Sequence, residues 1–236
     1  MNTPDKIRTL PSGNNTPWGG AASSSLSTDN PAAAKVLRNT YALLSLTLLF
    51  SAGVAATSMS MGWSSPGLVV TLVGYFGLLF AIHKLQNSGW AIPAVFALTG
   101  FMGYTLGPML AATLALPGGA QTIATALGAT GATFLALSAY VLTTRKDFSF
   151  MGGFLFAGMI VAIVLGLGAI FFGMPALGLA VSGLVALLSV GLILFETSRI
   201  VNGGETNYVL ATVGLFVSVF NLFVSLLSLM GIGGND

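Results

Sequence analysis

The chain has 236 residues, of which 55% are hydrophobic and only 6% are charged, and its mean hydropathy is +0.91. A soluble domain carries about 25% charged residues, so this composition predicts an integral membrane protein in a lipid bilayer. The net charge of only +2 gives no reason to expect a nucleic-acid partner. The lack of cysteine excludes disulfides, thiol catalysis and cysteine-ligated metals, and with one histidine we predict no enzyme, no cofactor and no metal site.

The chain opens with a polar stretch rich in Ser, Asn, Pro, Ala and Gly. Such a composition cannot bury enough apolar surface to fold alone. We therefore predict a flexible tail over residues 1–36, with a short helix near AAAKVLRNTY as the alternative for its end.

Seven apolar segments follow, and a bilayer-spanning helix takes about 20 such residues. Gly, Pro and polar residues separate the segments, as expected of turns, and the short connections predict antiparallel neighbours. The predicted fold is therefore an all-α integral membrane protein, a seven-helix transmembrane bundle over residues 37–231 followed by a short C-terminus over 232–236. The predicted spans are 40–61, 66–82, 91–114, 120–142, 151–172, 177–197 and 208–231.

The basic residues predict how the bundle is oriented. With seven spans, all eight bases fall on one side, which the positive-inside rule makes the cytoplasm. The N-terminus is then cytoplasmic and the C-terminus lies outside, in the periplasm of a bacterium. The bases are Lys6, Arg8, Lys35, Arg38, Lys84, Arg145, Lys146 and Arg199.

The third segment contains TGFMGYTLGPML, in which Gly100, Gly103 and Gly107 share one helical face. Gly103 and Gly107 form a small-xxx-small pair that lets another backbone approach closely. Pro108 removes a backbone donor and predicts a kink. The two interpretations are helix packing and a hinge for a gating motion.

Polar side chains recur along one face of the seventh segment, and lipid would not solvate them. We therefore expect this face to point into the bundle, either for interhelical hydrogen bonds or as the lining of a narrow pathway. Its members are Asn207, Ser218, Asn221, Ser225 and Ser228.

Glu196 ends the sixth apolar segment, at the predicted cytoplasmic end of its helix. A helix C-terminus carries partial negative charge, so an acid there needs compensation. Arg38, Lys84 and Arg199 are the candidate partners. Two interpretations of Glu196 remain. It belongs to an interfacial ion pair that fixes a loop, or it forms a pH- or ion-sensitive latch at the cytoplasmic mouth.

Three stretches together resemble the Bax inhibitor-1 family, also called the transmembrane BAX inhibitor motif family. They are LFETSRIVNGGETNYVLATVGLFVSVFNLFVSLLSLMG, TTRKDFSFMGG and TGFMGYTLGPML, and the resemblance covers residues 35–231. It implies a seven-helix bundle with the last helix near the centre. Several relatives are pH-sensitive calcium leak channels with a pair of acids in helices six and seven. Glu196 matches the first position, whereas Ser218 takes the second, where those relatives have an acid. A pH-sensitive cation or calcium leak gated near Glu196 is the alternative function that the resemblance implies.

VLRNTYALLSLTLLFSA and FETSRIVNGGETNY are most similar to a bacterial branch of the family, the YccA-like proteins. That resemblance implies an inner-membrane protein that modulates the membrane-anchored protease FtsH and is its substrate. The partners implied are FtsH, with or without HflK and HflC. The leading hypothesis is therefore an interaction protein without an active site, whose N-terminal tail is the handle that the protease grips.

Overall fold

The computed structural model describes residues 31–233, and its regular structure over that range is helical throughout. A short 3-10 turn at Ser149–Met151 precedes the fifth helix. All seven helices are long and apolar enough to cross a bilayer, which confirms the predicted fold class. They are α1 (Pro31–Ser60), α2 (Leu68–Leu85), α3 (Ala91–Leu114), α4 (Gly119–Thr144), α5 (Gly152–Phe171), α6 (Pro175–Val201) and α7 (Tyr208–Gly233).

The first helix begins earlier than the hydropathy predicts. Residues 31–36, which the sequence places at the end of the tail, form the first turns of α1. Pro31 suits the first position of a helix because its missing N–H would be unpaired there, and the three alanines after it are strong helix formers. Residues 1–30 of the predicted tail and 234–236 of the predicted C-terminus lie outside the described residues.

Helix α7 lies at the centre of the bundle. Of its most apolar stretch of 18 residues, 61% are buried, against 33% or less in each of the other six helices. It packs against α1, α3, α4 and α6. Its large side chains, led by the fully buried Phe216, join the main hydrophobic cluster. Because α7 packs against four other helices, its polar side chains can reach several of them.

Close contacts give the relative directions of the helices. Gly158 of α5 lies against Leu188 of α6, and Leu155 lies against Gly191, so these two helices are antiparallel. The loops between α2 and α3, α4 and α5, and α6 and α7 lie at one end of the bundle, which we call the basic end. Within residues 31–233 every Lys and Arg lies there, at the start of α1 or at the ends of α2, α4 and α6.

Helices α2 and α5 are peripheral. Helix α2 packs mainly on α3, and α5 packs mainly on α6. Only 6% of the apolar stretch of α2 and 17% of that of α5 is buried. Both helices therefore present most of their surface to lipid, and between them a part of the central α7 is left accessible from the side.

Candidate functional site

Two ion pairs that share Arg199 lie at the basic end, where α6 turns into α7. A guanidinium nitrogen of Arg199 lies 3.0 Å from Oε2 of Glu205, and the other lies 3.6 Å from Oε2 of Glu196. The Arg199 guanidinium also lies over the Phe195 ring, 5.4 Å from its centroid. One arginine thus serves two largely buried carboxyl groups, whose side chains are 15% and 12% exposed.

The loop after α6 brings Glu205 back to Arg199. Gly203 adopts a positive φ of 76°, a conformation that glycine enters at little cost. The chain then reverses, so that the N–H groups of Gly204 and Glu205 donate to the carbonyl oxygen of Arg199 at 2.8 and 3.1 Å. These bonds satisfy a helix-end carbonyl group that would otherwise lack a partner. A sharp turn in NGG therefore creates the second half of the ion-pair cluster.

Asn207 caps α7. Its Oδ1 accepts hydrogen bonds from the N–H groups of Val209 and Leu210, at 2.9 and 3.4 Å, as an N-cap side chain does. Its Nδ2 donates to the carbonyl oxygen of Gln86, at 3.1 Å, and so ties α7 to the loop between α2 and α3. Asn207 therefore holds two loops together at the basic end, whereas the sequence groups it with the interior face of α7.

Glu196 packs against the central helix. A Cβ atom at Gly214 would lie 2.8 Å from Cδ of Glu196, so the absence of a side chain there gives the carboxyl group its space. One turn further on, the Ser218 hydroxyl donates to the carbonyl oxygen of Gly214, at 2.8 Å. The two positions matched to the family's acid pair thus lie on neighbouring turns, but the hydroxyl of Ser218 bonds within its own helix.

The other candidate partners of Glu196 lie elsewhere. Among the described residues, no ion pair joins Glu196 to Arg38 or Lys84. The Lys84 ammonium instead lies over the Phe80 ring, 5.6 Å from its centroid. Of the three predicted partners, Arg199 is the one that the structure brings to Glu196.

A second clamp at the basic end was not predicted from the sequence. The Ser198 hydroxyl accepts from the N–H of Phe148, at 2.9 Å, and donates to the carbonyl oxygen of Lys146, at 3.2 Å. Next to it, hydrogen bonds from Ser149 hold the pKa of Asp147 below its usual value. The only sequence signal is a small polar residue in the last turn of α6, which does not identify its partner.

The remaining polar positions of α7 differ in their surroundings. Ser218 and Ser225 are buried, with 2% and 4% exposure. Asn221 and Ser228 are only half-buried, and Asn221 lines a cavity that opens to the side of the bundle. The predicted face of α7 is therefore divided between the interior and a lateral opening.

The α3 glycines face α1. A Cβ atom would clash with the Phe50 ring at Gly100, with the Ser51 carbonyl oxygen at Gly103 and with the Ser58 side chain at Gly107. These glycines therefore allow α1 and α3 to approach closely.

Helix α3 continues through Pro108. Proline cannot donate to the carbonyl oxygen of Tyr104, four residues before it. The Ser58 hydroxyl of α1 donates to that oxygen instead, at 3.0 Å. The carbonyl group that Pro108 leaves without a helical donor is therefore paired by a hydrogen bond between α1 and α3.

Among residues 31–233, no group of three or more His, Asp or Glu side chains is placed to hold a metal ion. The ion-pair cluster holds two carboxyl groups and one guanidinium, and it connects the end of α6, the following loop and the face of α7. These ion pairs hold the end of α6, the following loop and α7 together.

Comparison with known proteins assigns the chain to a family. The profile described as "Inhibitor of apoptosis-promoting Bax1" matches residues 33–235. The chain belongs to the Bax inhibitor-1 family. The match includes all seven helices except the first two residues of α1, so the bundle, with Glu196 and Ser218, lies within the region that the Bax inhibitor-1 profile matches.

Several bacterial relatives resemble the chain over nearly their full length. "Modulator of FtsH protease YccA" from Escherichia coli K12 is 54% identical over 202 residues, which are 86% of this chain and 92% of the relative. "Inner membrane protein YccA" from Escherichia coli O6:H1 has the same identity and coverage. An uncharacterized protein of Pseudomonas aeruginosa is 51% identical over 85% of this chain and 90% of its own length.

Proposed function

We propose that this Bax inhibitor-1 protein lies in a bacterial inner membrane, where it binds and inhibits an FtsH-type protease and is itself a substrate of it. The observation that carries the proposal is the 54% identity, over 86% of the chain, with a relative named as a modulator of that protease. The proposed role is regulatory and involves no catalysis by the chain itself.

The bundle suits a substrate that is held for a long time. Helix α7 is the most buried of the seven helices, and α1 and α3 approach closely at glycines. Hydrogen bonds and ion pairs at the basic end fasten three of the loops to helices. Pulling on one end would have to break these contacts together, so extraction would be slow. A protease engaged on such a substrate is unavailable to other clients.

The handle in this proposal is the polar N-terminal stretch, which the sequence predicts to be flexible. The bases predict that the basic end and residues 1–30 are cytoplasmic. The polar stretch would then lie on the side where an ATP-dependent protease engages its substrates.

Deletion of residues 2–30 tests the handle. We expect the shortened protein to persist several-fold longer in cells that contain the protease, because the protease has nothing to grip. The lifetime is measured by pulse-chase labelling, with a protease-deficient strain as reference. Replacing residues 2–30 by the same residues in scrambled order is the matched control, and it should restore degradation because a handle depends on length and flexibility. An unchanged lifetime after deletion would refute the handle.

The leak gated near Glu196, which the family resemblance also implies, receives no support from the geometry. A proton-sharing pair needs two carboxyl groups close together. No acid occurs in α7 over residues 208–233, and the hydroxyl of Ser218 bonds to Gly214.

A further inference from the structure

A cavity of about 680 Å³ opens on the side of the bundle, between the peripheral helices α2 and α5. Its floor is the central helix, at Val217 and Asn221. Its walls include Leu72 and Tyr75 of α2 and Ile160 of α5. We call this space the lateral cavity. Among its lining residues, only Tyr75 and Asn221 carry a polar side-chain atom.

The rim of the lateral cavity lies on the outer, lipid-facing surface of the bundle. Phe76 on the α2 side is 49% exposed, and Phe156 and Ile160 on the α5 side are 70% and 48% exposed. A molecule that enters the lateral cavity therefore comes from within the membrane and meets a mainly apolar surface.

Asn221 makes this surface different from an ordinary lipid-facing groove. It is the fourteenth of the 26 residues of α7, about 20 Å along the helix at ~1.5 Å per residue and thus near the bilayer midplane. Among the described residues, no side-chain hydrogen bond involves the Asn221 amide or the Tyr75 hydroxyl, which line the same cavity. An amide without a partner in hydrocarbon is strongly unfavourable, because neither water nor lipid tails can hydrogen-bond to it there. The occupant of the lateral cavity should therefore bring hydrogen-bonding groups to this depth.

Few membrane components can do so. Acyl chains have no hydrogen-bonding groups, and lipid headgroups stay about 15 Å away, half of the ~30 Å hydrocarbon thickness. A transmembrane helix with one polar side chain near its middle satisfies both requirements, since its apolar side chains fill the groove and its polar one pairs with the amide. Polar side chains of this kind hydrogen-bond between helices in membranes.

We propose that the lateral cavity is a docking site for a transmembrane helix of the protease, paired with Asn221 at mid-membrane. This inference rests on the proposed function for the identity of the partner. It adds a contact within the membrane to the cytoplasmic handle. A modulator held at two places would remain bound while its extraction proceeds slowly.

Site-specific photo-crosslinking in cells tests the site. In one variant a photoreactive amino acid replaces Ile160, which lines the lateral cavity. In a second variant it replaces Leu135. Leu135 is a matched control because it is 66% exposed on α4, outside the cavity lining, and like Ile160 lies about nine residues from the basic end of its helix. We expect a crosslink to the co-expressed protease from position 160 and none from position 135. Peptide mapping of the product should place the crosslink in a transmembrane segment of the protease.

The Asn221→Leu variant tests the hydrogen bond. We expect the crosslinking yield from position 160 to fall about three- to tenfold, the effect of one interhelical hydrogen bond in a membrane. Ser228→Ala, on the same helix but outside the cavity lining, should leave the yield unchanged. The variant with the photoreactive residue at position 160 retains Asn221, so its crosslink tests the docking site even if Asn221→Leu fails to fold.

The outcomes separate this inference from the proposed function. If the protease co-purifies with the full chain but position 160 crosslinks only to lipid or to a second copy of the chain, the docking site is refuted and the proposed function stands. If no protease co-purifies with the wild-type chain, both are refuted.

Discussion

At the scale of single residues, the fastening between α6 and α7 depends on Arg199. Its guanidinium is the nearest positive charge to both Glu196 and Glu205, and it is 32% exposed. A planar guanidinium has N–H donors on all three of its nitrogens and can serve two carboxylates at once, which an ammonium does less well. Removing it would leave two largely buried acids facing each other.

We expect Arg199→Gln to lower the free energy of unfolding by about 1–2 kcal/mol, below the usual cost of breaking a fully buried pair because the site is partly solvated. Arg199→Lys should cost less than Arg199→Gln. Thermal unfolding of the purified protein in detergent measures the effect. Adding Glu205→Gln to Arg199→Gln should recover part of the loss, since it removes one unpaired acid. Equal melting temperatures for wild type and Arg199→Gln would show that the cluster contributes nothing to stability.

At the scale of elements, α1 and α3 form one unit in which a proline and a serine complement each other. Pro108 leaves the carbonyl oxygen of Tyr104 without its helical donor, and the Ser58 hydroxyl supplies the replacement. Gly107 makes this possible, because a side chain there would occupy the place of Ser58. The interruption of one helix is thus satisfied by its neighbour.

A double-mutant cycle between Ser58 and Pro108 tests this dependence. We expect Ser58→Ala to destabilise the wild-type protein by about 1–3 kcal/mol, because a part-buried carbonyl group loses its partner. In the Pro108→Ala background the same change should cost well under half as much, since the new N–H of residue 108 can bond to Tyr104. Denaturant titration of the four proteins gives the coupling energy. Equal costs in both backgrounds would mean that the Ser58 hydroxyl does not replace the missing helical donor.

At the scale of the whole molecule, the distribution of charge predicts the orientation. Every base of the described residues lies at the end of the bundle that also carries Glu196, Glu205 and Asp147. Basic residues near the ends of transmembrane helices are retained in the cytoplasm. The opposite end has connections without Lys, Arg, Asp or Glu, over 61–67, 115–118 and 172–174.

The absence of cysteine makes the orientation easy to measure. We expect Ser65→Cys, between α1 and α2, to react with a membrane-impermeant maleimide in intact spheroplasts. Ser88→Cys, between α2 and α3, should react only after the membrane is opened. Both positions are exposed loop residues, so each is a control for the accessibility of the other. The reverse pattern of labelling would place the basic end in the periplasm.

The sequence by itself determined the number of helices, their approximate limits and the common side of the bases. These properties follow from hydropathy and charge along the chain, which are local and which the bilayer selects directly. The need of Glu196 for a basic partner was equally visible, because an acid at a helix C-terminus is unfavourable wherever the helix lies.

Only the tertiary structure decided what each polar residue contacts. Arg199 lies three residues after Glu196 on the same helix, a spacing that the sequence shows, but only the turn at Gly203 brings Glu205 to the same guanidinium. Asn207 caps α7, while Asn221 borders the lateral cavity. Helical periodicity placed both on one face of α7, but the gap between α2 and α5 and the position of the α2–α3 loop depend on distant parts of the chain. Contacts between such distant segments arise from packing in three dimensions, and no local pattern encodes them.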